Sequence, residues 1–170
     1  MIVLGIDPGY AIVGFGLVRT EGPRVTHLGH GVIRTPAGMP FDRRLFAIYT
    51  DMRSLLERYK PDEMAVEQLF FNTNTKTAIH VAQARGVVVL SAAERAIPVM
   101  EYTPLQVKMA VVGFGQAVKK QVMEMTRSLL GLDAVPRPDD AADALAVAIC
   151  HSRTTGSALA KFLDRNGQRG

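Results

Sequence analysis

Two acidic residues stand where predicted strands end. Asp7 follows the short apolar run 2–6 and precedes a Pro-Gly turn, so its carboxylate lies at the exit of a strand. Glu67 follows the apolar segment Met-Ala-Val in the same way. Two such strands would each deliver one carboxylate to the same edge of a sheet.

Two further acids, Asp140 and Asp143, lie three positions apart in a segment rich in alanine. That spacing places both side chains on one face of a helix, and the alanines make the helix thin enough to lie close to a sheet. Asp139 lies four positions before Asp143 and shares the same face. The spacing therefore leaves Asp139 and Asp140 as alternatives.

Carboxylates crowded into one place repel each other and raise each other's pKa unless a cation neutralises them. Mg²⁺ prefers oxygen ligands and commonly links carboxylates to substrate phosphates. Two such ions about 3.5 to 4 Å apart would stabilise the attacking and leaving oxygens of a phosphodiester displacement. Each acid alone also fits a turn, a helix cap or a strand end. Their combination predicts two Mg²⁺ ions per site as cofactor, with Mn²⁺ as a substitute.

Length and composition indicate a chain that folds as one domain. Its 170 residues are 48% hydrophobic, which is enough to bury a full core. The single cysteine, Cys150, lies in an apolar segment and is predicted to be a buried free thiol. We find no apolar stretch long enough to cross a bilayer and no signal peptide, so we predict a cytoplasmic protein without membrane association. The net charge of +4 permits a polyanionic partner.

Hydrophobic periodicity, glycine and proline divide the chain into strands and helices. Strands are predicted at 2–6, 10–19, 24–34, 63–67 and 99–102, and helices at 41–59, 75–96, from 103, at 117–130 and at 139–151. This order predicts the α/β class, with a mixed five-stranded sheet of three antiparallel and then parallel strands, flanked by helices. Residues 1–153 are predicted to form the domain and residues 154–170 a polar, disordered C-terminal tail.

Five segments carry a resemblance to a known family. They are GIDPG at 5–9, AVEQLFF at 65–71, QARG at 83–86, QVKMAVVGFG at 106–115 and DDAADALAVAICH at 139–151. With these segments in order over nearly its whole length, the chain resembles the RuvC family of Holliday-junction resolvases in the ribonuclease H-like superfamily. The resemblance implies that Asp7, Glu67, Asp140 and Asp143 are the catalytic metal ligands, and it favours Asp140 over Asp139.

The same resemblance implies DNA-binding residues beside the acids. Phe70 matches an aromatic side chain that reaches toward the junction, and Phe71 is a second candidate. Adjacent residues on a strand point to opposite faces, so one ring is expected to be exposed and able to stack on an unpaired base. Packing of both rings in the core or a dimer interface stays open.

Basic residues are expected to hold phosphates. Lys108 and Lys119 match positions where the family places lysines that contact DNA, and Lys120 adds charge beside them. Val118 stands where we expect an acidic residue in relatives. That departure leaves open whether Lys119 is held by a partner or moves freely.

The resemblance implies an Mg²⁺-dependent endodeoxyribonuclease that resolves four-way DNA junctions by paired symmetric nicks and leaves 5′-phosphate and 3′-hydroxyl ends. It also implies a homodimer and association with a branch-migration complex. The small residues of the helix at 75–96 suggest the self-complementary surface of the dimer. Three alternatives remain: a nucleotide triphosphatase with a phosphate loop at 5–16, a noncatalytic DNA-structure binder, and a nuclease for RNA-containing or other branched substrates.

The histidines do not suggest a metal site. His27 and His30 are an odd number of positions apart on a predicted strand and should face opposite sides of the sheet. His80 and His151 are isolated in the sequence, and each is expected to be a hydrogen-bonded structural residue.

Overall fold

In the part of the chain that the structure describes, five strands and five helices follow one another in the order that the sequence predicts. The computed structural model describes residues 1–69 and 75–167. The strands are β1 (Ile2–Asp7), β2 (Ile12–Glu21), β3 (Arg24–Arg34), β4 (Glu63–Glu67) and β5 (Val99–Tyr102). The helices are α1 (Phe41–Tyr59), α2 (Thr75–Ala93), α3 (Pro104–Val112), α4 (Lys119–Leu129) and α5 (Asp139–Gly167).

The strands form one mixed sheet in the order β3-β2-β1-β4-β5. Pairs β1–β2 and β2–β3 are antiparallel, whereas β1–β4 and β4–β5 are parallel. The predicted sheet is therefore confirmed. A hydrophobic core lies on each face, one beneath α3, α4 and α5 and the other beneath α1 and α2. The sheet is thus covered on both faces, and the ends of its strands are left as the place for a site.

Helix α5 lies unusually close to the sheet because glycines face it. A Cβ atom added at Gly14 would lie 2.0 Å from the backbone oxygen of Asp140, and one at Gly5 would lie 2.1 Å from that of Ala144. No side chain fits between such surfaces. The small residues on both elements therefore bring the acidic start of α5 onto the end of β1.

Helix α5 is longer than the predicted segment 139–151. The hydroxyl of Thr154 donates to the carbonyl oxygen of Cys150 at 2.8 Å, and that of Thr155 donates to the carbonyl of His151 at 3.0 Å. Polar side chains can therefore continue a helix past its apolar stripe. Cys150 is buried and free, as predicted. The predicted division into a domain at 1–153 and a tail at 154–170 stays a prediction.

A bulge in β3 overturns the prediction that His27 and His30 face opposite sides. Leu17 pairs with Gly29 whereas Val18 pairs with His27, so one residue of β3 is left over. The bulge reverses the alternation and brings the two rings together, with His27 Nε2 2.8 Å from His30 Nδ1.

Burial lowers the pKa of both His27 and His30, and the charge of His30 further lowers the pKa of His27. Both rings are half-buried on β3. The pair is therefore expected to stay uncharged at neutral pH.

In residues 1–69 and 75–167 no helix has both the length and the apolar character that a membrane-spanning segment requires.

Candidate active site

Asp7 and Glu67 end two neighbouring parallel strands. Ile6 of β1 pairs with Val66 of β4, so the next residue of each strand is one of the two acids. Both carboxylates therefore leave the sheet at the same edge, as predicted. Gly14 lies opposite Asp7 on β2 and is also the glycine against which the start of α5 packs.

The four predicted acids influence one another's ionisation. The pKa of Asp7 is raised from 3.8 to about 8, first by burial and then by the charges of Glu67, Asp143 and Asp140, while Lys119 acts in the opposite direction. Burial and the charge of Asp143 also raise the pKa of Glu67. The structure thus brings the four acids into one electrostatically coupled cluster.

Lys119 is held by a partner, which the sequence alone left open because Val118 precedes it. Its Nζ donates a hydrogen bond to Oδ2 of Asp143 at 2.7 Å and lies 3.9 Å from Oδ2 of Asp139. Burial lowers the pKa of Lys119, but the bond to Asp143 and the charges of nearby acids outweigh this and raise it. Burial also raises the pKa of Asp143. Lys119 is therefore held in the cluster as its counter-charge.

The structure distinguishes Asp139 from Asp140. Asp139 forms an ion pair with Arg137, and its side chain is 44% exposed, compared with 27% for Asp143. The charge of Asp140 raises the pKa of Asp7, whereas Asp139 does not contribute to that shift. The arrangement therefore favours Asp140 as the member of the cluster.

A cleft of about 190 Å³ opens beside the acids. Glu67, Asp143, Lys108 and Lys119 line it together with apolar side chains of α3, α4 and α5. The charges of both lysines oppose the rise in the pKa of Glu67. Lys108 is half-buried, whereas Lys120 is exposed and does not line the cleft.

The predicted base-stacking residues Phe70 and Phe71 lie outside the described residues. Strand β4 ends at Glu67, three positions before Phe70 in the sequence. The role of either ring stays a prediction.

The four acids offer the kind of ligand that a hard divalent cation prefers. All four offer carboxylate oxygens, and burial, together with the charges of neighbouring acids, raises the pKa of Asp7, Glu67 and Asp143. In the described part of the chain, no group of three or more His, Cys, Asp or Glu residues is arranged to hold a metal ion. Binding of a cation therefore requires these side chains to rearrange, and the Lys119–Asp143 bond is the contact most directly in competition with it.

Comparison with known proteins identifies the family. The family model described as crossover junction endodeoxyribonuclease RuvC matches residues 3–151. This chain belongs to the RuvC family. RuvC of Syntrophomonas wolfei is 54% identical over 169 residues, which cover 99% of this chain and 97% of that protein. RuvC of Moorella thermoacetica is 59% identical over 152 residues, covering 89% and 91%.

Solved structures agree with the RuvC assignment. The structure described as T. thermophilus RuvC in complex with Holliday junction substrate has a TM-score of 0.88 and 37% identity, covering 93% of this chain and 96% of that one. The yeast mitochondrial Holliday junction resolvase Ydc2 has a TM-score of 0.68 at 14% identity, covering 96% and 85%, and shows the fold alone. The predicted ribonuclease H-like fold is confirmed.

A buried network fastens α5 of this RuvC chain to the sheet. Nδ1 of His151 lies 2.8 Å from the hydroxyl of Tyr102, and its Nε2 contacts the carboxylate of Glu63. His151 is fully buried, as expected of a structural histidine. The network joins the helix that carries Asp140 and Asp143 to strands β4 and β5, and it thereby supports the position of the acidic cluster.

Sequence reasoning passed over a buried arginine. Arg44 is only 7% exposed and lies on the same stripe of α1 as Ile48, Met52 and Leu55. A charged residue at helical spacing within an apolar stripe is a signal that can be read from the sequence, because arginine is rarely buried unless its charge is paired.

Proposed function

We propose that this protein is a structure-selective endonuclease that resolves four-way DNA junctions, with Asp7, Glu67, Asp140 and Asp143 as its catalytic acids. Membership of the RuvC family supports the reaction class. The similar T. thermophilus protein is described in complex with a Holliday junction substrate. The observation that carries the proposal is the burial of Asp7 beside three other carboxylates, where burial first and then the charges of those acids raise its pKa to about 8.

The four acids would hold Mg²⁺, with two ions per site and Mn²⁺ as a substitute. Bound there, the ions would supply positive charge to the attacking water and to the departing 3′ oxygen. An oxygen–phosphorus bond forms to water while the bond from phosphorus to the 3′ oxygen breaks. The products are a 5′-phosphate and a 3′-hydroxyl end, and no covalent protein intermediate is needed.

The lysines of the cleft then act on the phosphate. Lys119 balances the charge of Asp143 in the metal-free protein and is free to turn to the scissile phosphate once cations neutralise the acids. Lys108 lines the same cleft and adds a second positive charge. Lys120, Phe70 and Phe71 remain predicted DNA contacts.

A substitution that keeps the size of the side chain tests the site. Asp7→Asn removes one carboxylate charge and should abolish nicking of a synthetic four-way junction in Mg²⁺, while junction binding is retained. Asp133→Asn, at an exposed position before α5, serves as the matched control and should nick normally. Continued nicking by Asp7→Asn would show that the catalytic acids lie elsewhere.

Plain duplex and an RNA–DNA hybrid, assayed beside the junction with Mg²⁺ or Mn²⁺, separate the alternatives. Paired symmetric nicks in the junction alone support a resolvase. Binding to the junction without nicks in either metal would indicate a noncatalytic binder, and preferred cleavage of the hybrid would indicate a different nuclease. Release of phosphate from a nucleoside triphosphate would support the remaining alternative.

A homodimer formed through α2 would present two such sites to two strands of the junction. Ile79 and Leu90 on α2 are 54% and 60% exposed. Gly86 lies between them, where an added Cβ would contact no other atom, so a partner helix could approach closely. The opposite face, with Ala84 and Val88, is buried in the core beneath α1 and α2.

Sedimentation of a charged variant tests the dimer. Leu90→Lys should yield monomers at micromolar concentration and lose paired nicking. Leu105→Lys, on α3, is the control because Leu105 is also 60% exposed. A fully active wild-type monomer would contradict the dimer.

A branch-migration complex as partner and a cytoplasmic location complete the proposal. Both are predictions that rest on the family resemblance and on the character of the sequence. Co-sedimentation of this protein with a branch-migration motor on junction DNA tests the first, and cell fractionation tests the second.

A further inference from the structure

A second cavity lies beside the acidic cluster, and its charged lining is basic. It has a volume of about 590 Å³, and its lining includes Tyr10 and Arg34, the turn that contains Gly38, and Arg44 of α1. Tyr10 follows Asp7 by three residues, so their Cα atoms are separated by at most about 11 Å. Arg34 ends β3 and pairs with Ile12, the first residue of β2. The cavity therefore opens near the same edge of the sheet as the carboxylates.

Arg44 is a buried cation with neutral partners. Its Nη1 donates to Oγ1 of Thr35 at 2.7 Å and to the carbonyl oxygen of Tyr10 at 3.4 Å, and its Nη2 donates to the carbonyl oxygen of Pro36 at 2.8 Å. The guanidinium also lies 5.3 Å from the centre of the Tyr10 ring. These contacts fix the orientation of the guanidinium but do not neutralise its charge.

Among the side chains that the structure describes, in residues 1–69 and 77–156, no carboxylate forms an ion pair with Arg44 or Arg34. The nearest acid along α1 is Asp42, which is exposed and lies 3.7 Å from Arg43. Arg44 also lies in the first turn of α1, where the helix dipole disfavours a positive charge. A buried charge is costly unless an opposite charge accompanies it.

Two arginines around one cavity match a phosphate group. The planar guanidinium presents paired N–H groups that fit phosphate oxygens, and it is more weakly hydrated than an ammonium group. Arg44 is held in place by its backbone partners at one side of the cavity, while Arg34 is exposed and can close on a ligand. Because the cavity opens near the same edge of the sheet as the acids, a DNA strand held at the acids can reach it with a second phosphate.

We propose that the cavity binds a backbone phosphate of the DNA substrate, distinct from the phosphate that is cleaved. This inference rests on the proposed function, because it assigns a second contact to the same DNA strand. Arg34 and Arg44 provide the positive charge, and the turn at Gly38 leaves the cavity open for the backbone of the strand. Arg34 and Arg44 bind DNA but take no part in breaking the bond.

The salt dependence of binding tests this contact. Fluorescence anisotropy with a labelled four-way junction, without divalent ions, gives the dissociation constant over a range of KCl concentrations. Arg34→Gln should weaken binding about three- to tenfold and lower the slope of log K against log salt by about 0.9, the value for one lost phosphate contact. Arg34 is exposed, so this variant should fold.

Arg24→Gln is the matched control. Arg24 begins β3, whereas Arg34 ends it, so both substitutions remove the same charge from the same exposed strand about 30 Å apart. The control should keep the wild-type slope. Arg44→Lys retains a charge but loses the planar fork, and it should weaken binding while circular dichroism remains native.

The results separate this inference from the proposed function. Equal slopes for Arg34→Gln and Arg24→Gln, in a protein that nicks junctions, would overturn the phosphate site and leave the resolvase standing, as expected if the cavity takes an acidic protein segment. A reduced slope for Arg34→Gln on plain duplex, with no preference for junctions, would support the phosphate site and contradict the resolvase. A wild-type protein that binds no DNA would contradict both.

Discussion

Replacing Asp7 by asparagine should stabilise the metal-free protein at neutral and alkaline pH. The structure raises the pKa of this carboxyl from 3.8 to about 8, first through burial and then through neighbouring acids. The folded protein therefore retains a proton that the unfolded chain loses between these two pH values. In that window the stability of the wild-type protein falls as pH rises.

The size of the effect follows from the pKa. Each pKa unit corresponds to about 1.4 kcal/mol. The raised pKa of Asp7 therefore lowers the free energy of unfolding by up to about 6 kcal/mol at pH 8 and by about 2 kcal/mol at pH 5. Asp7 keeps some contact with solvent, which screens the charges, so the measured gain should be smaller. We expect Asp7→Asn to gain at least about 2 kcal/mol at pH 8, or about 4 to 8 °C in melting temperature.

Urea unfolding followed by far-ultraviolet circular dichroism measures this gain, because the chain has no tryptophan. Both proteins are unfolded in EDTA at pH 5 and pH 8, with Asp133→Asn as the control. Added Mg²⁺ should stabilise the wild type more than Asp7→Asn, since the wild type offers the additional ligand. An Asp7→Asn variant no more stable than the wild type at pH 8 in EDTA would refute the raised pKa of Asp7 on which this reasoning rests.

Three other substitutions address the parts that build the site. Gly14→Ala should slow nicking at least tenfold, because its Cβ would lie 2.0 Å from a backbone oxygen of α5 and displace the helix; an unchanged rate would show that the close approach is dispensable. Lys119→Gln should slow nicking yet bind Mn²⁺ more tightly in calorimetry, because it releases Asp143; weaker binding would contradict the competition. Tyr102→Phe should cost about 1 to 3 kcal/mol in urea unfolding by leaving a nitrogen of buried His151 unpaired, and little of this loss should remain in a His151→Phe background.

Sequence predicts most of the fold because local signals agree along this chain. Pro8-Gly9 and Pro61 end elements where the apolar pattern also changes, and helix α1 and strands β3, β4 and β5 occur within the predicted bounds. The meeting of two of the carboxylates could be predicted for the same reason. Parallel strands place Asp7 and Glu67 at one edge once the order of the strands is known.

Features that depend on long-range geometry could not be predicted. The bulge that joins His27 to His30 arises from the pairing of β2 with β3, and a regular alternation gives the wrong face. The bond between Lys119 and Asp143 joins residues 24 positions apart and requires the relative placement of α4 and α5. The extension of α5 to Gly167 likewise escapes a prediction based on apolar periodicity.

The distribution of charge explains how a cluster of acids can serve a polyanion. Lys108 and Lys119 line the cleft beside the carboxylates, and Arg34 and Arg44 line the cavity next to β1 and β2. These basic side chains can therefore attract DNA while the acids still repel the phosphate that must approach them. Because the repulsion comes from ionised acids, Asp7→Asn should bind a junction without Mg²⁺ as tightly as the wild type at neutral pH and more tightly above pH 8, where Asp7 is charged. Weaker binding by that variant would mean that the carboxylate contributes to DNA affinity in some way other than through a cation.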